Sequence, residues 1–166
     1  MQPILDSLLE YLALSPTSAH TGSRSAEMLE KEGFSRLEPG DPWKTAPGGR
    51  YYTMYSPATL AAFIVGKRPP AESGFRITGA HTDAPGLFLK SEPYSYKEGL
   101  GTLGIEVYGG PLLNTWFDRD LGLAGKAVGS DGTVALYSIK EPILRILSPA
   151  IHLNRDVNRK GFKANP

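Results

Sequence analysis

Phe75-Arg-Ile-Thr-Gly-Ala-His81-Thr-Asp83-Ala-Pro85-Gly86 runs from an alternating apolar segment into a histidine, with a carboxylate two residues on and a Pro-Gly turn directly after. The alternation predicts a short buried strand over 75–78 that delivers His81 at its end. A histidine on a strand end is held rigidly. Asp83 can accept its second ring N–H, fixing the tautomer so that the other nitrogen faces a metal. A zinc hydrolase needs that arrangement, but a catalytic zinc takes three protein ligands and keeps a position open for water. His81 therefore requires further ligands elsewhere. A plainer reading is a hydrogen-bonded histidine at a strand end, with Asp83 capping the turn before Pro85.

Working outward toward the N-terminus, Ile4, Leu5, Leu8, Leu9 and Leu12 fall on one side of a helix whose pattern also carries Asp6 and Glu10. This predicts an amphipathic helix, not a signal or transit peptide. Ser15-Pro-Thr-Ser18 stops it and offers an N-cap for a second helix over Ser23 to Glu32, which Gly33 ends. Leu37 to Trp43 links to a turn at Pro47-Gly-Gly49. Strands are predicted over Arg50 to Tyr55 and Leu60 to Val65, and a Pro-containing loop over Lys67 to Gly74. Two helices followed by three strands suit an α/β layered domain.

After about Glu92 the pattern changes to short β-prone runs: Leu103 to Tyr108, Trp116 to Asp118, Leu121 to Val128, Thr133 to Ile139 and Ala150 to Leu153. Glycine pairs and prolines separate them, and Ser130-Asp131-Gly132 between two apolar runs predicts a hairpin. Residues 1–91 are expected to form one α/β part and 92–166 a β-rich part.

The 18 basic and 17 acidic residues leave a net charge of +1. Neither sign forms a long block, so neither a nucleic-acid stripe nor an acidic tail is indicated. The absence of cysteine excludes a disulfide scaffold, a thiolate zinc site and a cysteine nucleophile within these residues. The run Leu60 to Val65 is too short to cross a bilayer. A soluble, cytoplasmic protein is expected. The glycines at 104, 109, 110, 122 and 125 do not make a phosphate loop, because no Gly-x-x-x-x-Gly-Lys-Ser/Thr pattern is present.

Four blocks in order, His81-Thr-Asp-Ala-Pro85, Val107-Tyr-Gly-Gly110, Thr115-Trp-Phe-Asp-Arg-Asp-Leu-Gly-Leu-Ala-Gly125 and Ala150-Ile-His-Leu-Asn-Arg155, resemble the signature blocks of the aspartyl-aminopeptidase (aminopeptidase I) family of metallopeptidases. Ser15-Pro-Thr-Ser-Ala-His20 and Pro47-Gly-Gly-Arg-Tyr-Tyr52 match more weakly, in the same order. The chain departs from the family in carrying Ala84 where a serine is usual, and Ile146-Leu-Ser-Pro149 where an Ile-Pro pair is usual. Family members are several hundred residues long, so the resemblance implies that this chain corresponds to an N-terminal portion.

The resemblance further implies a layered α/β catalytic domain interrupted by a β-rich dimerisation domain, with two bridged zinc ions and a glutamate as general base. It assigns His81 as one metal ligand and Asp83 as the carboxylate that orients it. Nitrogen and oxygen ligands also accept cobalt or manganese. His152 would reach the active site of a dimer partner, there polarising the scissile carbonyl and its oxyanion, or approaching the metal as a ligand. The alternation around His152 fits either an exposed histidine or one aimed into a cleft.

The chain has three histidines, at 20, 81 and 152, and neither a His-Glu-x-x-His motif nor a Glu-Glu pair to complete a site. His20, near a helix start, reads as structural. In Trp116-Phe-Asp-Arg-Asp120 the arginine is expected to be held between the two aspartates while the aromatics pack on the other side. Two functions follow. One is the N-terminal part of a zinc-dependent aminopeptidase that releases N-terminal residues from peptides, forming a homo-oligomer through its β-rich domain. The isolated chain would then be inactive. The other is a non-catalytic truncated product acting as an association module.

Overall fold

The computed structural model describes residues 2–161. Its elements run α1 (Gln2–Ala13), α2 (Ser18–Lys31), β1 (Ser35–Arg36), β2 (Arg50–Ser56), β3 (Thr59–Ile64), α3 (Pro70–Ser73), β4 (Gly86–Lys97), β5 (Leu100–Tyr108), a 3₁₀ turn (Leu113–Thr115), β6 (Asp120–Val128), β7 (Val134–Arg145) and α4 (Val157–Lys160). The fold is mixed α/β with small sheets, ordered β1-β2-β3, β4-β5 and β6-β7. One compact unit takes Met1–Asp83 and Ala124–Ser138, and the other Ala84–Leu123 and Ile139–Pro166. Among the described residues no helix is long and apolar enough to cross a membrane.

In the first unit, α1 forms where the apolar period predicted it. Polar contacts join it to α2: Tyr11 Oη lies 2.9 Å from Ser25 Oγ, and Arg24 bonds Glu10 at 3.0 Å. Its apolar residues Ile4, Leu5, Leu8, Leu9 and Leu12 are exposed. The second helix starts at Ser18, five residues before the predicted Ser23. The Thr17 side chain caps it by accepting from the His20 amide, which satisfies a donor the first turn leaves unpaired.

Ala19, Ala26 and Tyr52 are buried where α2 packs on the β2-β3 hairpin, and Thr53, on the hairpin's opposite face, is buried as well. Gly22 permits the close approach: a Cβ there would sit 2.1 Å from the Pro57 carbonyl oxygen at the hairpin turn. Tyr52, only 1% exposed, donates its hydroxyl to the Glu30 carboxylate. Burial, with Glu30 second, pushes its pKa up to about 12. On the other face of the hairpin, Phe63 meets Trp43 at 5.9 Å and Tyr51 at 5.8 Å between ring centroids.

The predicted strand over 75–78 does not form. Residues 75–80 have no regular secondary structure, and Phe75 and Ile77 are 78% and 87% exposed. Apolar alternation gives strand propensity, but a ladder also needs a partner edge, and no described strand offers one to these residues.

In the second unit, β4 is longer than anything the sequence patterning indicated. Pro93 hid it, because proline removes a ladder donor. The ribbon absorbs Pro93 in an irregular register between the pairs Leu89↔Ile105 and Tyr94↔Leu103. Its tip turns through Glu98 and Gly99, both at positive φ (53° and 80°), the pair of values a two-residue hairpin turn demands.

The predicted 130–132 hairpin joins β6 to β7. Gly129 N–H donates to Thr133 O at 2.8 Å, and Asp131 accepts from the Thr133 amide at 3.0 Å. The predicted strand over 150–153 is instead a turn, closed by Leu153 N–H to Ala150 O at 2.8 Å. Its apolar residues Ile151 and Leu153 are exposed, so burial supplies no drive toward a strand.

Candidate functional site

The site in the first unit is assembled on the β2-β3 turn. Gly22 lets α2 support that turn at Pro57, and the next residue, Ala58, presents a carbonyl that accepts the Thr82 hydroxyl at 2.8 Å. This bond ties the irregular 79–83 segment to the sheet in place of a strand ladder. Ala58, Thr59 and Leu60 with Gly79 to Asp83 line an open concavity of about 500 Å³.

On either side of the anchored Thr82, His81 Nδ1 and Asp83 Oδ1 lie 3.0 Å apart. The His81 side chain is 89% exposed. With the proton on Nδ1 and donated to Asp83, the Nε2 lone pair is left as the donor available to a metal or to solvent. His81 and Asp83 thus meet in the pairing the sequence indicated, held by a side-chain anchor and not by a strand end.

His152 lies in the second unit, exposed, inside the Ala150–Leu153 turn. His20 is engaged at the α2 N-terminus, its Nδ1 2.8 Å from Thr17 Oγ1.

The Trp116 to Asp120 block is organised differently from expectation. Arg119 is not clamped between the aspartates. Asp120 pairs with Arg145 at 2.5 Å, while the Asp118 carboxylate accepts from the Ser148 amide at 3.0 Å. Hydrogen bonds from the Ser148 side chain, and next from its amide, hold the Asp118 carboxyl below the usual range. Phe117 bridges Ile146 in parallel, which sets the 146–148 segment beside Asp118 and brings the Ser148 amide to its carboxylate. Thr115, Trp116, Arg119, Asp120 and Leu121 line a second cavity of about 360 Å³.

A zinc ion bound by the His81 Nε2 atom would find there a neutral imidazole with its second nitrogen hydrogen-bonded to a carboxylate, which fits one ligand position. The described residues bring no three of His, Cys, Asp and Glu together in a metal-holding group. They therefore fit part of a ligand set and do not complete one.

Sequence reasoning missed Thr82, Ala58, Arg145 and Ser148. Thr82 stood inside the quoted motif, and its place between His81 and Asp83 was the available signal. Ala58, Arg145 and Ser148 act through contacts 24 to 30 residues away in the chain, which no local pattern carries.

The profile of the family described as aminopeptidase I zinc metalloprotease (M18) matches residues 11–166. A protein named probable M18 family aminopeptidase 2, from Stutzerimonas stutzeri (strain A1501), is 44% identical over 161 residues, spanning 95% of this chain and 37% of that protein. The chain thus spans a little over a third of the length of that relative. A cryo-EM structure of the Ape4 and Nbr1 complex contains a chain that superposes with TM-score 0.81 at 34% identity, covering 95% of this chain and 31% of that one. The structure of the S. cerevisiae mApe1 dodecamer superposes with TM-score 0.76 at 31% identity, covering 90% of this chain and 36% of that one.

Proposed function

This chain belongs to the aminopeptidase I zinc metalloprotease (M18) family, and on that premise we propose that it is the N-terminal portion of a metal-dependent aminopeptidase that releases N-terminal amino acids from peptides. Residues 1–91 form the start of the layered catalytic domain, and 92–166 part of an inserted β-rich domain used for association. Its setting is the cytoplasm, a reading the cysteine-free composition supports.

The observation that carries this reading is the His81 to Asp83 pair, 3.0 Å apart in an open concavity and anchored through Thr82. His81 provides one zinc ligand, and Asp83 holds its Nδ1 proton so that Nε2 keeps its lone pair outward. The remaining ligands come from sequence corresponding to the part of the relatives that this chain does not span. The 166-residue chain alone is therefore without peptidase activity. His152 contacts substrate or metal in a partner subunit.

A role in association has separate support. Tyr94, Tyr96 and Leu100 of the β4-β5 ribbon are exposed, and one relative is described as a dodecamer. Homo-oligomerisation through the β-rich part follows, and it is compatible with the aminopeptidase reading.

A chimera tests the function. This chain would replace the corresponding segment of the S. stutzeri aminopeptidase, and cleavage of short peptides would be followed with and without chelator. Chelator-sensitive release of N-terminal residues, lost in His81→Ala, is expected. A folded, zinc-loaded chimera whose cleavage is indifferent to His81→Ala would overturn the assignment.

A further inference from the structure

Asp118 has φ 56°, a left-handed conformation uncommon outside glycine. Its amide donates to the Ile146 carbonyl at 2.8 Å, and its Oδ1 accepts from the Ser148 amide at 3.0 Å. One residue thus grips the same segment at two points. Two positions on, Asp120 holds Arg145 at 2.5 Å.

Beyond Ser148 the chain has little freedom. Pro149 fixes its own φ near −65°, and the Ala150–Leu153 turn follows at once. A second turn overlaps it, closed by Asn154 N–H to Ile151 O at 3.2 Å. His152 sits inside both turns, four residues after Ser148.

We propose that Asp118 is a positioning residue for His152: its carboxylate anchors the stem from which the His152 turn is presented. The functional consequence rests on the reading of His152 as a substrate or metal contact, whereas the mechanical link does not. The strained backbone at Asp118 is maintained because it aims both the amide and the carboxylate at the 146–148 segment. An asparagine would keep the oxygen acceptor without its charge, and an alanine would keep neither.

The test uses the isotopically labelled 166-residue chain and two NMR readouts, the Ser148 amide exchange rate and the His152 Cε1–Hε1 signal, with the His81 ring signal as control. Loss of a hydrogen bond to a charged acceptor in Asp118→Ala should speed Ser148 exchange about tenfold or more. It should also shift and broaden the His152 signal while leaving that of His81 in place. Asp118→Asn should accelerate exchange only severalfold and move His152 less, in the same direction. If Asp118→Ala disturbs His81 as well, the chain has lost its fold and Asp118→Asn decides. Ser148 exchange and a His152 signal unchanged in either folded variant would overturn the proposal. Separately, His152→Ala in the chimera described above should lower kcat. Wild-type kinetics there would remove the catalytic reading of His152 while the NMR result still decides the link to Asp118.

Discussion

The Thr82 hydroxyl donates to the Ala58 carbonyl at 2.8 Å, and that bond connects the hydrophobic packing of the first unit to the histidine beside it. Without a strand ladder over 75–80, the placement of His81 depends on this contact. Thr82→Val keeps the shape and removes the donor, at a cost of about 1 kcal/mol in stability. In the zinc-loaded chimera it should weaken zinc binding severalfold, measured by competition with a chromogenic chelator. An affinity equal to wild type would mean that the 79–83 segment is positioned by something else.

Gly22 carries the same dependence one layer deeper. A methyl group there meets the Pro57 carbonyl oxygen at 2.1 Å, so the helix or the hairpin turn must move. Overpacking of this kind costs about 1–3 kcal/mol, partly offset by the gain of about 1 kcal/mol in helix propensity. Urea denaturation of Gly22→Ala should show a lower midpoint at unchanged m-value. A raised midpoint would show that the turn yields freely.

The Tyr52 phenol gives an alkaline signature. Its pKa in the folded protein is raised from 10.0 to about 12, so the unfolded chain ionises first as pH rises. The stabilisation is fully present below pH 10 and is lost as pH climbs through about 12. Tyr52→Phe should be less stable near neutrality by about 1 kcal/mol. It should also show a shallower decline of stability above pH 10 than wild type. Parallel pH profiles for the two proteins would contradict the burial of Tyr52 and its bond to Glu30.

Asp131 gives the acid counterpart. The backbone and side-chain bonds from Thr133 lower its pKa, so its contribution is present above the ordinary carboxylate value and is lost as pH falls through the depressed one. Asp131→Asn should flatten the acid limb of the stability profile below about pH 4. An acid limb as steep as wild type would place that pH dependence on other carboxylates.

What could be read from sequence divides along physical lines. The α1 period, the β2-β3 pair and the 130–132 hairpin turn are local signals, and each appears where it was expected. The His81–Asp83 pairing was legible because two residues of fixed chemistry stand two apart. The α2 cap was legible within Ser15 to Ser18, where Thr17 fills it, but the helix body was placed five residues late because Ser18 to Gly22 shows no apolar period. The 75–78 and 150–153 segments alternate like strands, but alternation cannot say whether a partner edge exists. Pro93 disguised β4, because the irregular register that accommodates it depends on β5. The clamp from Asp118 to Ser148 joins residues 30 positions apart, beyond any local pattern.

On the proposed function, His81 with Asp83 supplies one corner of a zinc site that the described residues do not complete. Zinc stoichiometry of the purified 166-residue chain, by native mass spectrometry with elemental analysis after desalting, tests it most directly. Substoichiometric zinc that His81→Ala does not change is expected. One tightly held zinc per chain, lost in His81→Ala, would contradict it and would mean that the chain recruits a full ligand set.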